Sequence, residues 1–164
     1  MFALFAGIAI VVLDQWLKFL VLKNFSLGET VPVISGFFNL TYLRNTGAVW
    51  GTFQHQNDWL VLLSFVMLFM IAVFYRRLVN GSRLQSFSVA CMLGGIVGNL
   101  VDRMKFGWVV DFLDFHYSAL QWPAFNLADA AICFGVGIYA VSTLLAGMPK
   151  PRSGDSAETR QSIQ

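Results

Sequence analysis

Four stretches of the chain are continuously apolar, and nearly every polar residue falls between them or near their ends. They cover about 2–22, 59–75, 84–101 and 123–148, each close to the ~20 residues a helix needs to cross a bilayer core. Trp59 and Tyr75 bracket the second, as aromatic anchors at membrane interfaces do. Pro123 suits the first turn of the fourth. Between the first two spans the pattern changes period. Val31 to Ile34 is rich in β-branched residues, and Phe38, Leu40 and Tyr42 alternate with Asn39 and Thr41. Ser35 and Gly36 separate these two runs, and Asn45, Thr46 and Gly47 give a turn signal. This segment predicts a small twisted sheet, a cradle over about 24–54 at the membrane surface. The stretch between spans three and four predicts a short aromatic loop containing Asp111. Residues 149–164 are polar and rich in Pro and Ser, which predicts a disordered cytoplasmic tail.

Composition places these spans in a membrane. Of 164 residues, 57% are hydrophobic and 12% charged, against roughly 25% charged in a soluble domain. The mean hydropathy is +0.64. The fold class expected is a mainly α membrane protein: one domain over 1–148, with four transmembrane helices and an outer-surface β-cradle. The first span lacks a basic leader and is followed by Asp14, Gln15 and Lys18 rather than a small-residue cleavage site, so it reads as a retained span. Arg76, Arg77 and Arg83 mark their loop as cytoplasmic, which puts both termini on the same side. A net charge of +2 argues against nucleic acid as a partner. Cys91 and Cys133 both lie in apolar runs, read as small core residues, and give no disulfide framework.

Polar residues inside spans carry the candidate chemistry, because an ionisable group in a bilayer is costly and functional by default. Asp14 and Lys18 are four apart and share a helical face with Gly7 and Val11. They form either a local interfacial ion pair or a polar stripe facing the bundle interior. Cys91, Gly95, Asn99 and Asp102 make a stripe on span three, and Gly94 and Gly98 allow another helix to approach closely. Asn126, Asp129, Cys133 and Gly137 make a matching stripe on span four, with Asp129 about 9 Å below its start at 1.5 Å per residue. Two carboxylates in a poorly solvated site share a proton and titrate as a unit, which suits aspartyl hydrolysis. Asp111 and Asp129 are that pair. No His-Glu-x-x-His or Gly-x-Ser-x-Gly motif is present, and His55 and His116 lie in separate outer loops. The sequence thus calls for neither a metal nor a cofactor.

Five blocks now carry a family resemblance. They are Leu13-Asp14-Gln15-x-x-Lys18, Asn45-Thr46-Gly47-Ala48, Gly94-Gly95-x-x-Gly98-Asn99-Leu100-x-Asp102-Arg103, Val109-Val110-Asp111-Phe112 and Phe125-Asn126-Leu127-Ala128-Asp129. In this order they resemble bacterial lipoprotein signal peptidase, signal peptidase II. The resemblance implies a four-helix inner-membrane aspartyl protease with its active site toward the outer face. Its substrates would be diacylglyceryl-modified prolipoproteins, cut on the amino side of the lipidated cysteine. It implies Asp111 and Asp129 as the catalytic pair. It implies Asn45, Gly47, Gly95, Asn99, Arg103 and Asn126 as residues that shape or line the site, with Asp14 and Lys18 as the polar pair of the first span. Membrane lipid and globomycin-type inhibitors are the further partners it implies. Val49, Trp50 and Gly51, and Ala130 after Asp129, depart from the family pattern in ways that touch lipid or inhibitor fit. A four-span transporter or proton pathway is the competing reading, and it predicts polar groups through the full bilayer depth. An assembly factor pairing through Gly94 and Gly98 is a third, but it leaves both aspartates unexplained.

Overall fold

The computed structural model describes residues 2–47, 54–118 and 120–146. The expected tail over 149–164, the end of the fourth span at 147–148 and the departures at Val49, Trp50 and Gly51 lie outside the described residues. The elements in order are α1 (Phe2–Asn24), β1 (Thr30–Ile34), β2 (Phe38–Asn45), α2 (Asn57–Val79), α3 (Arg83–Phe106), β3 (Val109–Tyr117), β4 (Leu120–Gln121) and α4 (Leu127–Ala146). All four helices are long and apolar enough to cross a membrane. The protein is a multi-pass membrane protein of the expected class.

Helix bounds differ from the apolar runs for local reasons. α2 and α3 continue past them because a backbone helix does not stop where hydropathy does. The added turns carry Arg76 and Arg77 on α2 and Asp102, Arg103 and Lys105 on α3. Ser82 caps α3, its Oγ accepting from Gln85 N at 3.3 Å, and Gly107 ends it at φ 80°. α4 starts at Leu127 rather than Pro123. Phe125 is held in the sheet instead, its N–H donating to Leu113 O while its carbonyl accepts from Phe112 N and Leu113 N. Asp129 is therefore the third residue of α4, in its first turn, and not 9 Å below its start.

α3 is the central helix, packing on α1, α2 and α4, whereas α1 and α2 hardly meet. Small residues set those spacings, as expected where helices associate by close packing rather than by hydrophobic force. A Cβ on Gly94 would stand 2.8 Å from Gly7 O of α1, and one on Gly98 would stand 2.8 Å from Asp14 Oδ2. On the other side a Cβ on Gly95 would fall onto Ala128 O, and one on Gly135 would stand 2.7 Å from Ser88 O. The stripe that α4 buries is thus Ala128, Ala131 and Gly135. Cys133 is exposed, and Gly137 has open space where its Cβ would be. The expected stripe is corrected at Gly137, whereas Asp129 and Cys133 line one cleft, Cys133 as an exposed rather than a core residue.

The sheet is antiparallel in the order β1-β2-β3-β4. β1 falls where β-branched residues put it, and β2 where period-two patterning did. The stretch read as an aromatic loop is strand β3, so Asp111 sits on a strand. Between β2 and β3 the register runs Leu40↔Leu113 and then Leu43↔Asp111, three residues against two. This bulge within β2 reverses the parity of the strand. Tyr42 consequently leaves the face of Phe38 and Leu40 and joins Val110, Phe112 and Val21 in the core against α1. Leu43 and Asn45 come onto the face of Asp111.

If α3 depends on these contacts, Gly95→Ala should lower stability by about 1–3 kcal/mol through overpacking, while Gly137→Ala should have little effect. Melting temperatures of the two variants in detergent micelles check this. Equal values would mean that the α3–α4 spacing is not set at Gly95.

Candidate active site

The site is built from one end of the bundle upward. Lys18 of α1 is buried, and its ammonium group reaches three acceptors: Asp14 Oδ2 at 2.8 Å, Asp102 Oδ2 at 2.9 Å and Asn99 Oδ1 at 3.0 Å. An ammonium has three donors, so all are used. The two carboxylates are fully partnered as well. Asp14 Oδ1 accepts from Ala128 N at 2.9 Å, in the first turn of α4. Asp102 Oδ2 accepts from Val110 N at 3.1 Å on β3, and its Oδ1 accepts from Gln15 Nε2 at 2.9 Å. The interior reading of Asp14 and Lys18 is the one that holds. Asp102 and Gln15 belong to this cluster, although the sequence did not single them out as site residues. The signal that points to Asp102 is its place three residues after Asn99, on the polar face of α3.

Lys18 fixes the next residue out. With Asn99 Oδ1 turned to the ammonium, Asn99 Nδ2 points the other way and donates to Asp129 Oδ1 at 2.7 Å. Asp129 and Asn126 cap α4 reciprocally. Asn126 Oδ1 accepts from Asp129 N at 2.9 Å, and Asp129 Oδ2 accepts from Asn126 N at 3.3 Å. Asn126, fully buried, also donates from Nδ2 to Asp111 Oδ1 at 2.8 Å. Asp111 Oδ2 accepts from Asn45 Nδ2 at 2.9 Å, a diagonal contact across β2 and β3. Asn45 Oδ1 in turn accepts from Gly47 N at 3.0 Å, and Arg103 Nη2 donates to Gly47 O at 2.7 Å.

Asp111 and Asp129 thus each accept hydrogen bonds at both oxygens, and every such donor is a neutral amide. Burial pushes the Asp111 carboxyl up to about 7, the charge of Asp129 adds to the rise, and the bonds from Asn45 and Asn126 only partly offset it. Both carboxylates line a cleft of ≈640 Å³ with Asn45, Gly47, Asn99 and Arg103. Leu43, Val109, Pro123, Phe125 and Ala130 add apolar wall, and Arg44, Thr46 and Gln54 add polar groups. Gly95 lies behind the cleft, where it sets the distance between α3 and α4. The Arg103 side chain, which lines the cleft, donates to the Gly47 carbonyl and so fixes the turn after β2. Asp114 is 9% exposed and accepts from Asn39 Nδ2 at 2.8 Å across β2 and β3. Among the described residues no group of three or more His, Cys, Asp or Glu is arranged to hold a metal ion.

Comparison with known proteins agrees with this geometry. The family model described as signal peptidase (SPase) II matches residues 6–145. The chain belongs to the signal peptidase II family. It is 42% identical over 136 residues to the lipoprotein signal peptidase of Geobacter sulfurreducens, covering 81% of this chain and 85% of that one. Its likeness to the lipoprotein signal peptidase of Moorella thermoacetica is 42% over 142 residues, covering 87% and 92%. A bacterial membrane enzyme structure solved by the in meso method at 2.3 Å superposes with a TM-score of 0.85 at 25% identity, covering 92% of each chain. A second such structure, at 1.9 Å, gives 0.77 at 26% identity. Signal peptidase II is a protease, and the transporter reading is set aside. The buried charges here gather at one end, and α1 carries no charged residue from Phe2 to Leu13, about 18 Å of helix at 1.5 Å per residue.

Because Lys18 neutralises two buried acids, Lys18→Met should cost about 3–5 kcal/mol by leaving them uncompensated. Lys23→Met, at the exposed end of the same helix, should leave the melting temperature in micelles nearly unchanged. Similar melting temperatures for the two variants would remove Lys18 from the centre of the network.

Proposed function

We propose that Asp111 and Asp129 are the catalytic pair of this signal peptidase, cleaving diacylglyceryl-modified prolipoproteins on the amino side of the lipidated cysteine. The observation that carries the reading is a pair of carboxylates joined through Asn126 and held only by neutral amides. A Lys or Arg in direct contact would hold a carboxylate ionised. Amides orient it and leave its proton exchangeable. At neutral pH one proton serves the pair, which titrates as a unit. The ionised partner takes a proton from the attacking water while the protonated one polarises the scissile carbonyl. Collapse of the tetrahedral intermediate then breaks the C–N bond, and the leaving amine takes up a proton from the pair. The apolar part of the cleft, from Leu43, Val109, Pro123 and Phe125, suits the acyl chains of the substrate and of membrane lipid, and the same volume suits globomycin-type inhibitors. Asn45, Asn99 and Asn126 orient the two acids. Arg103 and Gly47 hold the turn beside them, Gly95 sets the cleft's depth, and Asp14 with Lys18 supports it from behind.

Orientation follows the basic residues. Arg76, Arg77 and Arg83 lie at the end of the bundle opposite the dyad, and this basic loop supports reading that end as the cytoplasmic side of a bacterial inner membrane and the dyad as facing outward. Single cysteines at Gly81 and Gln56 in a cysteine-free background should label from opposite sides. Labelling of both by an impermeant reagent from outside would overturn this orientation.

Asp111→Asn and Asp129→Asn should each abolish cleavage of a lipidated precursor while preserving membrane insertion, since Asn matches Asp in volume but carries no exchangeable carboxyl proton. The double variant should be scarcely worse than either single one, because the two acids act as a unit. Asp114→Asn, away from the cleft, should stay active. The raised Asp111 value sets the sign of the pH dependence: the shared proton is present below about 7, so cleavage should fall as pH rises through that value. Substantial turnover by either single dyad variant, or a rate that climbs steadily above pH 8, would defeat the assignment.

A further inference from the structure

At the end of the bundle away from the dyad, α1 and α2 pack on α3 but scarcely on each other, and the gap is a groove. Its inner part is a trough of ≈540 Å³ running along Leu4, Ile8 and Val12 of α1 and Leu93 and Val97 of α3. Its outer part, ≈890 Å³, opens beside Phe2, Phe87 and Arg83. Ala3, Tyr75 and Ser86 line both parts, so the groove is continuous.

The two parts differ in chemistry. The trough is almost wholly apolar, and in a bilayer any hydrocarbon would fill it for packing reasons alone. The mouth supplies selectivity. Arg83 lines it, Arg76 and Arg77 directly follow Tyr75, and the chain has no acidic residue between Asp58 and Asp102. All three arginines are exposed, and no ion pair occupies any of them among the described residues. Arginine presents a planar fork that matches phosphate. The positive end of the α3 dipole adds to the same field. A partner helix would need acids to meet this mouth, whereas a phospholipid brings an anion and a chain on one molecule.

We propose that this groove is a binding site for an anionic phospholipid of the leaflet on the Arg76–Arg83 side. One acyl chain lies in the trough, and the phosphate meets Arg83 with Arg76 and Arg77 beside it. The site is separate from the cleft at the dyad and does not depend on the catalytic reading.

Native mass spectrometry of the full chain from detergent micelles, titrated with dioleoyl phosphatidylglycerol or dioleoyl phosphatidylcholine, tests this. The protein should retain one phosphatidylglycerol in clear preference to phosphatidylcholine. Arg83→Gln should reduce that preference about five-fold, the factor expected for one basic residue near an anionic lipid. Ile8→Trp and Leu4→Trp, which fill the trough and leave the arginines in place, should lose the retained lipid. All three variants should cleave lipidated precursor as the wild type does, which shows that they are folded. A variant that does not cleave is set aside, and the remaining trough variant decides. Equal retention of the two lipids would overturn the proposal, as would full retention by the trough-filled variants. A stable dimer cross-linking through position 8 would overturn it too, by giving the groove to a second copy.

Discussion

The structure depends on one buried cation. Lys18 sits among Asp14, Asp102 and Asn99, and removing it would leave two carboxylates in a region where water cannot solvate them. The bonds it organises reach further than the triad. Asp14 goes on to the first turn of α4, Asp102 goes on to the first residues of β3, and Asn99 goes on to Asp129. Two helices in contact, a third helix start and a strand start are thereby fixed relative to a single ammonium group. Burying an ion cluster is a poor way to gain stability, since desolvation consumes much of the attraction. Its use here is positional: it gives each neighbouring element one admissible place.

The dyad inherits that order without sharing the charge. Asn99 separates Asp129 from Lys18, and Asn45 separates Asp111 from the turn that Arg103 holds. The cations thus bear on the geometry of both acids through amides rather than by direct contact. Asn126 joins the two acids and starts α4 with the same side chain. Helix initiation and dyad assembly are therefore one event. The elements that carry the acids also meet here, because Phe125 is still paired with β3 one residue before the cap.

Much of this was legible in the sequence, and the rest was hidden for identifiable reasons. Four apolar runs gave four spans, and polar residues stranded within them gave Asp14, Lys18, Asn99, Asn126 and Asp129. β-Branched residues pointed to β1, and period-two alternation to β2. Strand β3 escaped because Val109, Val110, Asp111, Phe112, Leu113 and Asp114 do not alternate. Val110 and Phe112 pack on α1 while Asp111 is buried on the opposite face, so both sides of the strand are covered. The start of α4 was misplaced because Pro123 is equally at home in extended chain. Cys133 and Gly137 looked like a continuation of the polar stripe on a helical wheel, yet which face α4 buries is set by where Gly95 and Gly135 allow contact. The partners of Asp102 and Gln15 depend on α1 lying parallel to α3, a tertiary fact that no local pattern carries.

The bulge in β2 has an evolutionary corollary. Between Leu40 and Asn45 the count of residues has to be odd or even in the right sense, because each single insertion or deletion exchanges the two faces of everything downstream. One residue lost there would carry Asn45 to the α1 side and leave Asp111 Oδ2 without its amide. A length change of two could be absorbed by sliding. Across descendants of this chain, then, length variation in the cradle is filtered by arithmetic modulo two, and loops beyond the strand ends are free of that filter. The register here requires a parity whatever side chains stand at Thr41 and Tyr42.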